Sequence, residues 1–490
     1  MHGMKRLLII AESFPPRRTS GSFRIEAFFK YLPEFGIQPA VFTASSPTPE
    51  PYPGCDFHPA SHRVFSVPWY SPGKRWNSFS AKAILRAFPV GWWLVRHMER
   101  REILRRLTPS LLAAASEFRP AAVLASGPPP IAYLLGELLH DTLNIPLILD
   151  FRDPWSAFHN TYYRHWIDYL LERRCEARLL RKAALILANT PTSAKLFRTL
   201  LNVSSDKLAV LTNGYDEAAF VSAETIPPIF PPNQFTILYS GVFTRPDRHP
   251  GIQPFFQFLG FQYQPLRTCN KLRWPGYFLD ALKQVLNDHP DWAKTLRVVF
   301  VGCFSQEIRR LLKSFPIPSV ITVRSPVSET VSVRMMLDAN LLLLLQVGQW
   351  HHGRDFLPMI PGKLYSYLRS GTPILAPVQK SDIWNLIRQF DAGDVMEPTD
   401  VQGIAEAIKR RYLAWQQRGA VHRLPPPGIQ MFERRELTRR LSELLHRLWG
   451  SQRSSPSATA YPTSSSAPHL VFRNATASTG PVSPAEIPGH

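Results

Sequence analysis

Short apolar runs recur along the chain, separated by longer amphipathic stretches of helical composition. In chain order these runs are LLIIA, PAVFTA, RVFSV, AAVLAS, PLILDF, ALILA, LAVLT, FTILYSG, RVVFVG, ITV, LLLLL and PILA. Apolar strands that alternate with helices are typical of parallel sheets covered by helices on both faces. A length of 490 residues accommodates two such sheets. The pattern therefore predicts an α/β protein with two facing, doubly wound domains.

A polar break at residues 204–207 divides these runs into two equal groups. We therefore expect one domain over residues 1–205 and a second over residues 206–425, with a ligand site in the cleft between their strand ends. Residues 426–449 are predicted to form a helix that returns to the first domain. Residues 450–490 are rich in Ser, Thr, Pro and Ala with almost no charge, which predicts a disordered tail.

An aromatic-rich segment at residues 251–274 interrupts the alternation in the second domain. Without it, the strand that ends at Gly241 would lead through a short loop into the helical sequence PGYFLDALKQVL. We therefore interpret the segment as an insertion, and the sequence predicts no conformation for it.

The stretch IPGKLYSYLRSGTPILAP, from Ile360, has the composition of a loop, a short helix and a buried strand. Gly362 lies at the start of this helix, and Gly371 can adopt the left-handed conformation that ends one. Unpaired amides and the macrodipole at a helix start favour an anion. An ordinary α/β packing unit has the same pattern, so an anion site and a structural turn both remain open.

The formal net charge is +20, with 57 Lys and Arg against 37 Asp and Glu, which indicates an anionic partner. Nucleic acid, acidic lipid headgroups and phosphorylated small molecules would all satisfy this charge. No RNA-binding aromatic signature, zinc finger or helix-turn-helix pattern accompanies it, so we expect no nucleic-acid partner. The four cysteines are scattered and no histidine pair has ligand spacing, so neither a disulfide framework nor a metal site is predicted.

The first apolar run ends at Glu12, too early for a secretory signal peptide, and no run reaches the ~18 to 20 apolar residues of a spanning helix. We expect a cytoplasmic protein, either free or bound at the inner face of the cell membrane. A basic amphipathic stretch follows Trp92 and Trp93, with Arg96 and Arg100 four residues apart. A solvated helix face and docking on an anionic membrane both fit this pattern.

Several motifs follow one another in a recognisable order. They are FPP at 14–16, SGSFR at 20–24, SGPPP at 126–130, LDFRDPW at 149–155, NGYD at 213–216, YSG at 239–241 and PGKLYSYLRSGTPIL at 361–375. Together they resemble a nucleotide-sugar-dependent glycosyltransferase of family 4, from Lys5 to about Trp449 without the insertion. The resemblance implies two Rossmann-like domains of the glycosyltransferase B-type. It also implies retaining transfer of a sugar from a nucleoside diphosphate to a polysaccharide or lipid-linked glycan acceptor, with no metal or other cofactor.

The resemblance further implies a set of donor-binding residues. They are Gly21, Ser22, Gly241, Arg245, Arg248, Gly362, Lys363, Leu364 and Ser366. Gly21 and Ser22 resemble the glycine-rich first loop, whose backbone approaches the donor phosphates. Arg245 and Arg248 resemble the basic residues that contact the diphosphate. Ser366 stands where family members often carry a glutamate that binds the nucleotide ribose, and a serine makes a weaker hydrogen bond than a carboxylate.

On the acceptor side, Arg152 and Asp153 follow the fifth predicted strand, where relatives carry a polar pair that faces the reacting sugar. Asp153 is a candidate to orient a sugar hydroxyl or to accept the acceptor's proton. A structural pair that caps the next helix is the alternative. The residues expected on the acceptor or membrane side are Arg24, Trp92, Trp93, Arg96 and Arg100.

Two other functions remain open at this point. Ser366 and the insertion also fit a catalytically degenerate relative that acts as a binding or scaffold protein. A sugar-nucleotide epimerase of the same fold is a further alternative. A Rossmann dehydrogenase is disfavoured because no G-x-G-x-x-G follows any predicted strand.

Overall fold

The structure is a computed structural model that describes residues 4–17, 19–44, 64–69, 90–157, 161, 163–243, 261–265, 268–349, 357–419 and 424–451. The strands are β1 (Lys5–Ala11), β2 (Ile37–Ala44), β3 (Val64–Val67), β4 (Ala122–Gly127), β5 (Leu147–Phe151), β6 (Tyr163–His165), β7 (Leu185–Ala188), β8 (Leu208–Val210), β9 (Phe235–Ser240), β10 (Phe261–Tyr263), β11 (Thr268–Cys269), β12 (Leu296–Val301), β13 (Ile321–Arg324), β14 (Leu341–Leu343), β15 (Gly348–Gln349), β16 (Ile374–Pro377) and β17 (Gly393–Met396). The α-helices are α1 (Ser20–Tyr31), α2 (Gly91–Phe118), α3 (Pro130–Leu143), α4 (Trp166–Lys182), α5 (Pro191–Leu201), α6 (Glu217–Glu224), α7 (Gly276–Asp288), α8 (Gln306–Lys313), α9 (Glu329–Asp338), α10 (Lys363–Ser370), α11 (Asp382–Gln389), α12 (Val401–Arg418) and α13 (Arg434–Ser451).

The first domain is built on a parallel sheet with the strand order β3-β2-β1-β4-β5-β7-β8. Its central strands are buried on both faces, as the continuous apolar runs predict. Helices α2 and α3 cover one face, where Leu111 and Leu139 join the core. Helices α1 and α13 cover the other face, where Phe28 and Leu441 are buried.

The second domain is built on a parallel sheet with the order β13-β12-β9-β14-β16-β17. Helices α7 and α12 cover one face, where Leu282 and Ile408 are fully buried. Helices α9, α10 and α11 cover the other, where Leu364 and Ile387 are fully buried. Two facing, doubly wound α/β domains are therefore confirmed, and every apolar run named above contributes to a strand. The pattern did not predict β17 or the short strands β6, β10, β11 and β15.

The predicted boundary at residues 205 and 206 is wrong. The run LAVLT was assigned to the second domain, but its strand β8 pairs with β7 and forms the edge of the first sheet. The residues before it form only a 3-10 turn, Ser205–Lys207. A short polar break does not distinguish a loop between two strands of one sheet from a linker between domains. The chain crosses to the second domain after β8.

The C-terminal helix returns to the first domain, as predicted. Leu441 and Leu445 of α13 are fully buried in the core that β1 and α1 also line. At the end of the helix, the indole Nε1 of Trp449 donates a hydrogen bond to the carbonyl of Ala121 at 3.4 Å. The predicted tail beyond residue 451 and the start of the insertion, residues 251–260, lie outside the described residues.

We expect Leu441→Ala to lower the free energy of unfolding of the first domain by about 2 to 5 kcal/mol, because it leaves a cavity between α13 and the sheet. Denaturant titration followed by circular dichroism measures this change. The matched control is Leu413→Ala on α12, where the side chain is 45% exposed and the expected loss is below about 0.5 kcal/mol. Equal losses in both variants would contradict the docking of α13.

Candidate active site in the cleft between the domains

A cavity of about 440 Å³ lies between the domains, where the loops after the strands of both sheets meet. The first domain contributes Phe23 and Arg24 from α1. The second domain contributes the end of β9 and the first turns of α9 and α10. Ligand sites of open α/β sheets form at this edge. The predicted site residues that line the cavity are Arg24, Gly241, Gly362, Lys363 and Ser366.

The start of α10 is open toward this cavity. Gly362 has helical backbone angles, φ −54° and ψ −33°, so its conformation does not require glycine. A Cβ at Gly362 would meet no atom within 4 Å, so the space beside it is free. Among the described residues, no acceptor pairs with the backbone amides of Gly362 and Lys363. These amides and the helix dipole therefore face a space that can hold an anion.

The side chain of Lys363 is the most unusual feature of the cavity. Its ammonium Nζ is buried, makes no hydrogen bond within the described part of the chain, and lies 3.8 Å from the centre of the Tyr239 ring. Burial lowers the pKa of Lys363 well below its ordinary value, and the nearby Arg273 lowers it further. A buried, unpaired ammonium is costly to fold, so Lys363 is a candidate functional group of this cavity.

Gly241, after the end of β9, lies beside the Lys363 ammonium. Its φ of +152° favours glycine, and a Cβ at this position would lie 3.3 Å from Lys363 Nζ. The preceding residue, Ser240, places its hydroxyl 3.1 Å from that of Ser332 on α9. The end of β9 therefore brings small side chains to the cavity and leaves room beside the Lys363 ammonium.

A second polar group of the cavity lining comes from α9. Glu329, in the first turn of α9, accepts a hydrogen bond from Arg434 Nη1 of α13 at 3.3 Å. Ser366 also lines this cavity. The sequence analysis missed Glu329 and Arg434, although Ser328 before Glu329 follows the pattern of a helix start.

Arg24 lines the cavity, but its guanidinium is committed to the protein. Nε and Nη2 form a bidentate pair with the buried carboxylate of Asp150, at 2.8 to 3.2 Å. Nη1 and Nη2 donate to the carbonyls of Thr212 and Leu211 at 2.6 and 2.9 Å. Four of its five N–H donors are thus used within the protein, which gives Arg24 a structural role, and its acceptor role stays a prediction.

Gly21 and Ser22, predicted to form a glycine-rich loop at the donor phosphates, have structural roles instead. A Cβ at Gly21 would lie 1.5 Å from Arg152 Nη1, so glycine is required here by Arg152. Ser22 is fully buried, and its hydroxyl accepts a hydrogen bond from the backbone amide of Thr19 in the capping box of α1. The side chain of Ser22 therefore does not reach the donor space.

The two predicted catalytic residues lie in the loop after β5. Arg152 donates through Nε to the carbonyl of Gly127 at 3.3 Å and through Nη2 to that of Pro128, so it fastens this loop to the end of β4. Burial raises the pKa of Asp153 to about 7, although Arg152 opposes the shift. Asp153 is thus a carboxyl group that can exchange a proton near neutral pH.

The rest of the RDPW motif is anchored by a residue that the sequence analysis missed. The buried carboxylate of Glu176 on α4 accepts the backbone amides of Trp155 and Ser156 at 3.0 and 2.9 Å. Burial raises the pKa of Glu176, while these hydrogen bonds lower it. The motif is therefore held by Glu176, and the alternative of a helix-capping Arg–Asp pair is not what the structure shows.

Three other residues predicted to bind the donor are not placed at the cavity by the structure. Leu364 is fully buried in the core, and its amide donates to the carbonyl of Pro361 at 3.0 Å. It therefore presents neither its side chain nor its amide to a ligand. Arg245 and Arg248 lie outside the described residues.

The basic stretch predicted for an acceptor or a membrane is the first half of α2. Two of its basic side chains contact other residues of the protein: the Arg96 guanidinium lies 4.5 Å from the Trp92 ring centre, and Arg100 pairs with buried Glu172 at 2.8 Å. Trp93 is half-buried. Membrane docking through this stretch stays a prediction.

Within the part of the chain that the structure describes, no helix is long and apolar enough to cross a membrane. The same residues contain no group of three or more His, Cys, Asp or Glu side chains arranged to hold a metal ion.

Comparison with known proteins identifies the first domain. Residues 22–214 match the family model of the glycosyl transferase 4-like domain. A comparison with curated protein sequences finds no match.

Several solved structures share the whole fold at low sequence identity. Sucrose-phosphate synthase from Thermosynechococcus elongatus is 12% identical, with a TM-score of 0.57 over 91% of this chain and 100% of that one. HepE from Anabaena, in complex with UDP and glucose, is 12% identical, with a TM-score of 0.55 over 90% of this chain and 99% of that one. A putative UDP-N-acetylglucosamine 2-epimerase from Listeria monocytogenes is 10% identical, with a TM-score of 0.52 over 91% of this chain and 97% of that one.

These findings confirm the resemblance that the motifs indicate. The fold is the two-domain, Rossmann-like B-type, and its first domain is a glycosyl transferase 4-like domain. The family match covers residues 22–214 and so describes the first domain; for the whole chain, the solved structures show the fold.

The raised pKa of Asp153 makes its contribution to stability pH-dependent. The folded protein keeps a proton on Asp153 up to about pH 7, whereas the carboxyl group ordinarily loses it near pH 3.8. The folded state therefore binds more protons between these values, and Asp153 lowers stability as the pH rises through this window. We expect Asp153→Asn to match wild type near pH 4 and to exceed it by about 1 to 3 kcal/mol at pH 8.

Thermal unfolding at a series of pH values measures this difference. The control is Glu117→Gln at an exposed position near the end of α2, which removes the same charge without changing a buried group. A constant difference between Asp153→Asn and wild type across the pH range would contradict the raised pKa.

Proposed function

We propose that the protein transfers a sugar from a nucleoside diphosphate sugar to a glycan or lipid-linked acceptor, with retention of configuration at the sugar carbon. The observation that carries the proposal is the buried, unpaired ammonium of Lys363 beside the open start of α10. A cation and unpaired amides in one cavity suit the diphosphate of such a donor. The bound UDP and glucose of the HepE structure support the choice of donor. Retention and the acceptor class rest on the family resemblance.

The chemistry of the reaction explains why a cation and unpaired amides would be useful in this cavity. Cleavage of the bond between the sugar and the diphosphate leaves negative charge on the departing phosphate. Groups that are already oriented toward this charge stabilise the transition state most strongly. The amides of Gly362 and Lys363 and the Lys363 ammonium are oriented by α10 before the donor binds. Charge from the donor would also favour the protonated form of Lys363.

Glu329 and Ser366 are the candidates for the nucleoside. Both line the cavity next to the α10 start, and each can accept a hydrogen bond from a ribose hydroxyl. Ser366 on α10 stands where family members often carry a ribose-binding glutamate. In this arrangement Glu329 on α9 would provide the carboxylate instead. Arg434 orients Glu329 through their hydrogen bond.

Asp153 is the candidate for proton transfer on the acceptor side. A carboxyl group with a pKa of about 7 is suited to accept a proton from an acceptor hydroxyl near neutral pH. The net charge of +20 favours an acceptor that carries phosphate, such as a lipid-linked glycan at an anionic membrane surface.

Calorimetric titration with UDP and with GDP, each without added metal, tests the donor site. We expect saturable binding of one nucleotide, and we expect Lys363→Met to weaken it about tenfold or more, because the variant lacks the ammonium. Lys363→Met should also raise the free energy of unfolding by about 1 kcal/mol or more, since methionine fills the same space without a buried charge.

The control is Lys283→Met, which removes an exposed lysine of α7 and should leave both binding and stability unchanged. Binding of neither nucleotide to the folded wild-type protein would overturn the proposal and favour a degenerate relative that has kept the fold. Release of the free sugar-nucleotide epimer, without transfer, would favour the epimerase alternative.

A further inference from the structure

A second cavity, of about 360 Å³, lies at the edge of the second sheet where its strands begin. Phe235, Asn340 and Pro373 line it, and each stands at or just before the start of β9, β14 or β16, which are neighbours in the sheet. The last turns of α9 and α12 line it as well. The cavity between the domains lies at the other end of β9, beside Ser240 and Gly241. Six residues of strand, roughly 20 Å, separate the two cavities.

Much of the wall of this second cavity is apolar. Phe230, Phe235 and Leu337 line it, together with Pro373 and the indole of Trp415. Phe230 and Phe235 are buried, and the Trp415 ring lies edge-on to Phe235 with 5.8 Å between ring centres. Ligand pockets of proteins have volumes of about 300 to 1,000 Å³ and walls of this kind. The cavity is therefore large enough for a small organic molecule with an apolar or aromatic body.

Two polar side chains at the α9 side of the cavity are already used within the protein. The carboxylate of Asp338 accepts hydrogen bonds from Nε and Nη2 of Arg334 at 3.1 and 2.5 Å, and from the backbone amide of Ile229 at 2.6 Å. The side-chain oxygen of Asn340 accepts the backbone amide of Thr236 at 2.7 Å. These oxygens therefore have little capacity left for a ligand that donates hydrogen bonds.

The polar groups left over on α12 are hydrogen-bond donors. Arg411, Trp415 and Arg418 line the cavity and are spaced by four and three residues, so they share one face of the helix. The indole Nε1 of Trp415 is buried and has no hydrogen-bond partner among the described residues. Arg418 is exposed and makes no hydrogen bond or ion pair within the described part of the chain. Because a buried indole N–H ordinarily has a partner, the group missing at Trp415 is an acceptor.

Positive charge on α12 is only partly balanced by the protein. Arg410 and Arg411 pair with the same carboxylate, that of Asp394, so one of their two charges is left over, and Arg418 adds another. Basic side chains at the end of a helix also complement the helix dipole, which accounts for the arginines but not for the unpaired indole. A carboxylate or phosphate can accept hydrogen bonds from a guanidinium and an indole at the same time. The charge and the free donors therefore favour an anionic group on the ligand.

We propose that this second cavity binds a small organic anion. The apolar or aromatic body of the ligand packs against Phe230 and Phe235, and its carboxylate or phosphate accepts hydrogen bonds from Trp415 Nε1 and the Arg418 guanidinium. None of these four residues lines the cavity between the domains, so the inference does not depend on the proposed function. A molecule bound here is neither the sugar donor nor the acceptor, because the length of β9 separates it from the candidate active site.

Calorimetric titration of the full chain with four probes tests this site. 1-Naphthoate and 1-naphthyl phosphate carry an anionic group on a flat apolar body, 1-naphthamide has the body without the charge, and acetate has the charge without the body. We expect saturable binding of at least one naphthyl anion with a Kd below about 1 mM, and binding of 1-naphthamide and acetate that is weaker by about tenfold or more. The tighter of the two anions identifies the preferred anionic group.

Two variants place the bound probe in the cavity. Trp415→Phe keeps an aromatic ring and removes the N–H donor, and Arg418→Gln removes the charge at an exposed position. Each should weaken binding of the better naphthyl anion by about threefold to tenfold, while Arg418→Gln leaves binding of the neutral 1-naphthamide unchanged. The matched controls are Trp384→Phe on α11 and Arg310→Gln on α8, which lie outside the cavity lining and should bind the anion as wild type does.

The possible outcomes are distinct. Binding of neither naphthyl anion by the folded wild-type protein would overturn the assignment, and so would binding that Trp415→Phe and Arg418→Gln leave as tight as in wild type. Equal binding of 1-naphthamide and the anions would contradict the anionic group. If circular dichroism shows that Trp415→Phe does not fold, Arg418→Gln decides alone, because its side chain is exposed. The titrations with UDP and GDP test the donor site independently of all these results.

Discussion

The buried ion pair between Arg24 and Asp150 determines how the cleft is built. Asp150 is fully buried at the end of β5, where a charge is tolerated only if every lone pair finds a donor. Arg24 provides a bidentate contact, and Ser126 at the end of β4 donates to the same carboxylate at 2.7 Å. Arg24 also donates through Nη1 and Nη2 to the carbonyls of Thr212 and Leu211, where the chain leaves the first sheet. The pair of Arg24 and Asp150 thus fastens α1, two central strands and the crossing peptide at the edge where the cavity opens.

The sequence predicts the architecture because the information for it is local. An apolar run between turn signals identifies a buried strand whatever its neighbours are, and the alternation with helices selects parallel sheets. Which sheet a strand joins is a tertiary property, and this is why LAVLT was placed in the wrong domain. Strand β17 escaped notice because its sequence, GDVM, is half-buried and only partly apolar.

The candidate site follows the same division between local and tertiary information. Gly362, Lys363 and Gly241 could be named because loop and helix-start chemistry is visible in the sequence. Ser22 and Leu364 stand in the same motifs, but whether a side chain points into the core or into the cleft depends on packing against distant elements. The requirement for Gly21 comes from Arg152, more than a hundred residues away. Glu176 acts through long-range contacts with Trp155 and Ser156, and no pattern around it indicates this.

Several contacts join the domains directly, and together they explain why the cavity can be ready for a ligand before it binds. The carboxylate of Asp382 on α11 accepts the amide of Thr192 at the start of α5, at 3.1 Å, so an acid of one domain meets the positive end of a helix of the other. The amide of Arg434 donates to the carbonyl of Tyr215 at 2.8 Å, which places α13 against the crossing peptide. The pairing of β10 with β6 adds a third link on the far side of the cleft.

A cavity held in this way loses little conformational freedom when it is filled, and more of the interaction energy then appears as affinity. The cost is carried by the protein itself, in which the ammonium of Lys363 is buried without a hydrogen-bond partner among the described residues. Sites where local rules of stability are broken in this manner are expected where function requires it. Under the proposed function, the buried ammonium of Lys363 is one half of an interaction that the donor would complete.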